Sequence, residues 1–211
     1  MNNGRVAVLC PTRNRPAGLK RLAESVRNTS SARIIAYVDE DQDKDYLGAE
    51  GVLMDIGARI GPVAAANLMA ERYTGFEAYG LVTDDSTLET PGWDEWLIEA
   101  LKQFPNRIAV VSPHHNNGNH VDMPFVSREW IDSVGWFACP ALFHYAWPTI
   151  TQLIGEMTAI VHAPEQSFHI QHDYMEGTYP DRRQRDYEAF YNYVSLRLPA
   201  VVERVRQAMS I

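Results

Sequence analysis

Cysteine is scarce in this chain: Cys10 and Cys139 are its only two, each beside apolar neighbours. That count excludes a disulfide framework and a cysteine-based zinc site. Basic residues are also short, 19 against 27 acidic ones, giving a formal charge of −8. A broad positive surface for gripping nucleic-acid phosphates has no compositional support. No apolar run approaches the ~20 residues that cross a bilayer, so no membrane span is expected. Met1-Asn2-Asn3-Gly4 does not begin a signal peptide, and the expected location is cytoplasmic. The glycosylation pattern at Asn28-Thr29-Ser30 is idle in that setting. Wholesale disorder is not expected, because 45% hydrophobic and 22% charged residues are ordinary globular values.

What is present is an alternation. Val6–Cys10, Ile34–Val38, Val52–Met54, Tyr79–Thr83 and Ile108–Ser112 are short apolar runs, as buried parallel strands require. Between them lie helical patterns: Leu19, Leu22, Ala23 and Val26 after Pro16; Val63, Ala66, Met69 and Ala70 after Gly61-Pro62; and Trp93, Trp96, Leu97, Ala100, Leu101 and Phe104 after Pro91-Gly92. The expected fold class is α/β, a Rossmann-like, mostly parallel sheet with helices on both faces. Residues 113–211 are less regular. His114 to His120 has no periodicity and reads as a polar loop, short strands are expected at Met123–Val126, Ile160–Val161 and Phe168–Ile170, and a helix at Arg128–Val134. A last helix from Asp186 is expected to bend or break at Pro199. With no repeat and no linker, one domain over 1–211 is expected, its first half spanning 1–112.

Three polar clusters fall where strands end: Pro11-Thr12-Arg13-Asn14-Arg15, the acidic run from Asp39 to Asp45, and Thr83-Asp84-Asp85-Ser86. Each alone is an ordinary turn or solvated loop. Strand-end loops of such a sheet, however, jointly build one crevice, and that convergence points to a ligand site.

These residues carry a resemblance. Val8 to Pro16 resembles the opening strand of family-two GT-A glycosyltransferases, of the small phage or bacterial type. Leu81 to Ser86, with Leu88, Pro91, Gly92 and Trp93, is similar to their Asp-x-Asp strand and following helix; Arg59, Gly61 and Asn67 resemble the donor-side helix entrance. Phe125 to Arg128, Gly135 and His169-x-x-His172 look more loosely like the acceptor-side half. The resemblance implies a metal-dependent transferase moving a sugar from a nucleotide-diphosphate donor, UDP- or GDP-type, to an acceptor hydroxyl. It implies Asp85 as carboxylate ligand of Mn²⁺ or Mg²⁺, with Asp84 beside it on the donor sugar or ribose. Pro11, Thr12, Arg13, Asn14, Asp39, Arg59 and Asn67 would line the nucleotide side. His169 is the first choice to complete the metal shell and His172 the second. An extended strand points residues i and i+3 to opposite faces, so both would not reach one ion.

The chain also departs from the pattern. Thr83 stands where relatives have the first acid, and no acid lies near His144-Tyr145-Ala146-Trp147, where a general base is expected. His144 is the substitute, with Asp132 and Glu156 further candidates. His114, His115, His120 and Asp122 form another metal-capable set, with no established zinc spacing. Trp136 and Trp147 could stack on an acceptor sugar, whereas Trp93 and Trp96 belong to a core stripe. The alternative reading is a non-catalytic protein binding a sugar nucleotide or glycan. A nucleotidyltransferase would require a Gly-rich phosphate loop, which Pro11–Arg15 lacks. DNA as acceptor stays open without help from the charge balance.

Overall fold

The computed structural model describes residues 4–46, 49–116, 121–173 and 182–210. In chain order the elements are β1 (Val6–Thr12), α1 (Pro16–Thr29), β2 (Arg33–Asp39), a 3-10 segment Glu40–Tyr46, β3 (Val52–Gly57), α2 (Pro62–Arg72), β4 (Ala78–Leu81), β5 (Ser86–Leu88), α3 (Trp93–Leu101) and β6 (Val110–Ser112). Then follow β7 (His114–His115), β8 (Phe125–Ser127), α4 (Arg128–Val134), α5 (Trp147–Met157), β9 (Ile160–His162), β10 (His169–His172), α6 (Arg183–Leu196) and α7 (Leu198–Met209).

Seven strands form one sheet in the order β3-β2-β1-β4-β8-β6-β9. β1, β2, β3 and β4 are parallel, and β8 alone runs against its neighbours β4 and β6. Alternation along the strands divides the core between two faces. Ala7, Leu9, Ile35, Tyr37, Tyr79 and Leu81 join the apolar faces of α2, α4, α5 and α7. Val6, Val8, Cys10, Ile34, Ala36 and Val38 join those of α1 and α3 on the other side. Each layer therefore hides the opposite side chains of the same strands, as a doubly covered sheet demands.

Local chemistry sets the boundaries. Pro16, Pro62, Pro148 and Pro199 occupy the first turns of α1, α2, α5 and α7, where a missing N–H costs nothing. Ser127 caps α4 by accepting from the Trp130 amide at 3.0 Å, and Gly135 ends it at φ 87°. The expected C-terminal break falls at Arg197, between α6 and α7. At the amino-terminal edge of the sheet, Glu77 pairs with Arg5 and, at 2.6 Å, with Arg107. One carboxylate thus ties the approaches to β1, β4 and β6.

Two features correct the expected layout. α5 opens on Trp147, and its β-branched Thr149, Ile150 and Thr151 hid the helical period. His114 and His115 are not loop residues. They form β7, which pairs in parallel with β10, while β5 pairs antiparallel with β10, making a second sheet of three strands. An aromatic cluster of Trp93, Phe125 and Phe168, with Trp93 and Phe168 stacked at 4.8 Å, fills the core beside that sheet. Among the described residues no helix is long and apolar enough to cross a membrane.

Candidate functional site

The carboxyl ends of β1, β2 and β4 bring the three polar clusters together. Thr12, Asp39, Asp84 and Asp85 are all buried despite being polar. Thr12 Oγ1 donates to Asp84 Oδ2 at 2.5 Å and lies 3.1 Å from the Tyr46 hydroxyl. The Tyr46 hydroxyl accepts from the Arg15 amide at 2.9 Å, so the 3-10 segment is latched onto the loop after β1. Arg15 places one guanidinium nitrogen 3.1 Å from Asp84 Oδ1 and 3.2 Å from Asp85 Oδ2. Gly18 in α1 permits this crowding, because a Cβ there would sit 2.4 Å from the Asp84 carbonyl oxygen.

Arg13 is held by Asp39 at 2.6 Å and by both oxygens of Asp41 at 2.8 Å. Asn14, exposed at φ 60°, exchanges hydrogen bonds with the Gln42 amide. Pro11 is half-buried at the end of β1. Arg59 is exposed before α2, near enough for its charge to help lower the Asp41 carboxyl. Asn67 is committed elsewhere: its Oδ1 accepts from the amides of Phe137 and Ala138 at 2.9 and 3.0 Å, and its Nδ2 donates to the Ala138 carbonyl at 2.7 Å. Both ends of that amide hold backbone, so the side chain anchors α2 instead of facing a donor.

The two histidines of β10 part company. His172 lies opposite Ser86 in the β5 register and sets its Nε2 3.3 Å from Asp85 Oδ1. The Asp173 amide donates to the Asp85 carbonyl at 2.8 Å and secures the approach. His169 points to the other face, with Nδ1 3.1 Å from Glu89 Oε2 and its ring beside His114. The structure therefore puts the second-choice histidine at Asp85 and takes the first choice away from it, for the alternation of faces given above. His144 lies in the loop before α5, where the Asp186 carboxylate accepts from the amides of Phe143, His144 and Tyr145 at 2.9, 2.8 and 2.7 Å. Asp132 and Glu156 lie on helix surfaces, bound to Arg128 and Gln152. Trp147 is buried against Phe137, which withdraws it from stacking on a ligand, whereas Trp136 is half-buried. His115 is buried 4.0 Å from Asp122, and His120 lies outside the described residues.

The electrostatics separate the two acids. Burial pushes Asp84 up, more than its bonds to Thr12 and Arg15 pull it down. Burial also acts on Asp85, but His172, Thr83 and Arg15 outweigh it and hold that carboxyl below its ordinary value. Reciprocally, the bond to Asp85 raises His172 against the opposing effect of burial. Burial lowers His144, with Asp186 opposing, which favours the neutral imidazole at pH 7. Asp85 Oδ1 is buried and lies 3.3 Å from the His172 imidazole nitrogen. An ionised carboxylate oxygen and an imidazole nitrogen converging in this way form a donor set suited to Mn²⁺. Residues absent from the sequence reading are Tyr46 and Gly18. Tyr46 directly follows an acidic run that masks it, and a helical glycine gives no signal until its neighbour is known. A groove of about 590 Å³ between Pro140 and the α6–α7 pair is lined by no carboxylate and shares no residue with this site.

No protein-family model and no curated protein matches the sequence. Solved structures do resemble it. A mannosyltransferase from Pyrobaculum calidifontis, in complex with GDP-Man and Mn²⁺, superposes with a TM-score of 0.63 at 13% identity, covering 97% of this chain and 73% of that one. GalNAc-T7 with UDP, GalNAc and Mn²⁺ gives 0.63 at 12% identity over 82% of this chain and 44% of its own length, so this chain spans under half of it. The likeness establishes a GT-A-like α/β fold.

Proposed function

We propose that the chain is a glycosyltransferase that uses a divalent cation, Mn²⁺ or Mg²⁺, to transfer a sugar from a UDP- or GDP-type donor to an acceptor hydroxyl. The observation that carries this reading is the meeting of Asp85 and His172 at 3.3 Å, beside Asp84 and Arg15, at the carboxyl edge of the sheet. Asp85 and His172 would hold the cation, which when bound offsets the charge developing on a departing diphosphate. Asp84, steered by Thr12, faces the donor's sugar or ribose. Arg13 orients Asp39 toward the nucleoside, and Arg15 can leave the carboxylates for a phosphate oxygen of higher charge. In the transfer the anomeric carbon–oxygen bond to the diphosphate breaks and a bond to the acceptor oxygen forms. If the outcome is inversion, the hydroxyl proton passes to a base, and the neutral His144 imidazole is the proposed acceptor.

The Arg15 bridge across both carboxylates favours a second reading, a protein that binds a sugar nucleotide without turning it over. Purified chain with Mn²⁺ and a panel of UDP- and GDP-sugars separates the two. Release of nucleoside diphosphate that disappears in Asp85→Asn supports the transferase. Tight binding by calorimetry with no release across an acceptor panel supports the binder. Failure of every sugar nucleotide to bind removes both.

A further inference from the structure

The other face of β10 holds a constellation that the transferase reading does not use. His114 of β7 and His169 of β10 are register partners in a parallel pair, their rings 5.3 Å apart. Glu165 reaches the same place from the turn after β9, and ligand atoms of the three side chains all lie within 4.8 Å of one another. The turn that presents Glu165 is built: the amides of Ser167 and Phe168 donate to the Pro164 carbonyl at 3.0 and 3.1 Å. Thr90 ties it to the sheet, accepting from the His169 amide at 3.1 Å while its hydroxyl donates to the Glu165 carbonyl at 3.4 Å.

Two independent features point to a ligand. His114 Nδ1 is buried without a hydrogen-bond partner, an expensive state for a polar atom unless something else occupies its lone pair. The Glu89 carboxylate accepts from His169 Nδ1, which fixes that ring and leaves Nε2 with its lone pair, the arrangement by which a carboxylate orients a metal-bound histidine. We propose that His114, His169 and Glu165 form a second divalent-cation site, distinct from the Asp85–His172 pair and selective for Zn²⁺. Two imidazoles and one carboxylate are a zinc-type donor set, whereas Mg²⁺ prefers oxygen alone. Ligand atoms of tetrahedral zinc lie roughly 3.3 Å apart, so a bound ion would draw the three side chains closer than they stand. His169 and His172 are three residues apart on one strand, so their Cα atoms are about 10 Å apart along it and the two sites lie on opposite faces. Zinc here would pin the Pro164–Ser167 turn to the three-stranded sheet.

The test uses chelator-stripped full chain titrated with Zn²⁺ by calorimetry, and with Co²⁺ as its spectroscopic substitute. An Asp85→Asn, His172→Gln double variant is expected to bind one equivalent, with the visible absorption of four-coordinate Co²⁺ and a metal-dependent rise in Tm. Adding His169→Ala should abolish binding, and Glu165→Gln should weaken it by at least about tenfold. Glu165→Gln in the otherwise wild-type chain, a change at an exposed side chain, should weaken one of its two equivalents by the same factor. Absence of Zn²⁺ binding in the double variant, or unchanged stoichiometry and affinity in both Glu165→Gln and His169→Ala chains, overturns the proposal.

Discussion

Replacing Asp85 by asparagine keeps its shape and removes the negative charge that faces both the Arg15 guanidinium and the His172 imidazole. Its Oδ2 lies 3.2 Å from Arg15, an attraction worth roughly 5 kcal/mol at an effective dielectric of about 20 before desolvation, and its Oδ1 lies 3.3 Å from His172. Folding recovers most of that, because the variant also relieves repulsion with Asp84 and the cost of burying the charge. The net loss of stability is expected near 1 kcal/mol, a Tm drop of about 2–4 °C for a chain of this size. Catalysis has no such compensation. A lost electrostatic stabiliser of the leaving group costs about 2.7–4 kcal/mol, so kcat/KM should fall on the order of 10²–10³-fold. The assay is nucleoside diphosphate release with Mn²⁺, run beside a thermal melt and Mn²⁺ binding by electron paramagnetic resonance. Turnover within tenfold of wild type, in a variant whose Tm is intact, would refute the role given to this carboxylate.

Three further outcomes follow from the same coordinates. Gly18→Ala forces a Cβ to 2.4 Å from the Asp84 carbonyl; about 1–3 kcal/mol of destabilisation is expected by melting, with activity falling further as Asp84 moves. Asn67→Ala strips two amides and a carbonyl of their partners and should cost about 2–4 kcal/mol, with Asn67→Asp milder because it keeps the accepting oxygen. A raised donor KM at unchanged Tm would mean that Asn67 touches the ligand after all. The bond from Arg5, opposed by burial and aided by Arg107, holds Glu77 at about 2 against the ordinary 4.5. A depressed carboxyl stabilises fully above the unfolded value and loses that contribution as pH falls through about 4.5 to 2. With the side chain 31% exposed, screening reduces this to about 1–2 kcal/mol. Glu77→Gln should be less stable at pH 7 and show a shallower acid limb, measured by urea midpoints across that window.

The doubly covered sheet was legible because β1, β2 and β4 carry apolar runs that stop at polar turns, and because helical periods lie between them. The second sheet was not. Strands of two to four residues, such as His114–His115 and Ser86–Leu88, are too short to display a period, and their partners come from distant segments. The same gap hid which histidine faces Asp85: alternation allowed only one, and the β5–β10 register makes it His172. Asn67 misled for another reason. A polar residue at a helix entrance looks the same in sequence whether it greets a ligand or satisfies backbone, and only the position of Phe137 and Ala138 decides.

Asp85 sits in the turn that leads from β4 of the large sheet into β5 of the small one, and the Asp173 amide that donates to its carbonyl continues the β5–β10 ladder by one rung. Exchange of this single proton with deuterated solvent is therefore a gauge of how often the end of that ladder opens while the rest of the protein stays folded. Any ligand that bridges Asp85 and His172 should slow it, whatever its effect on global melting.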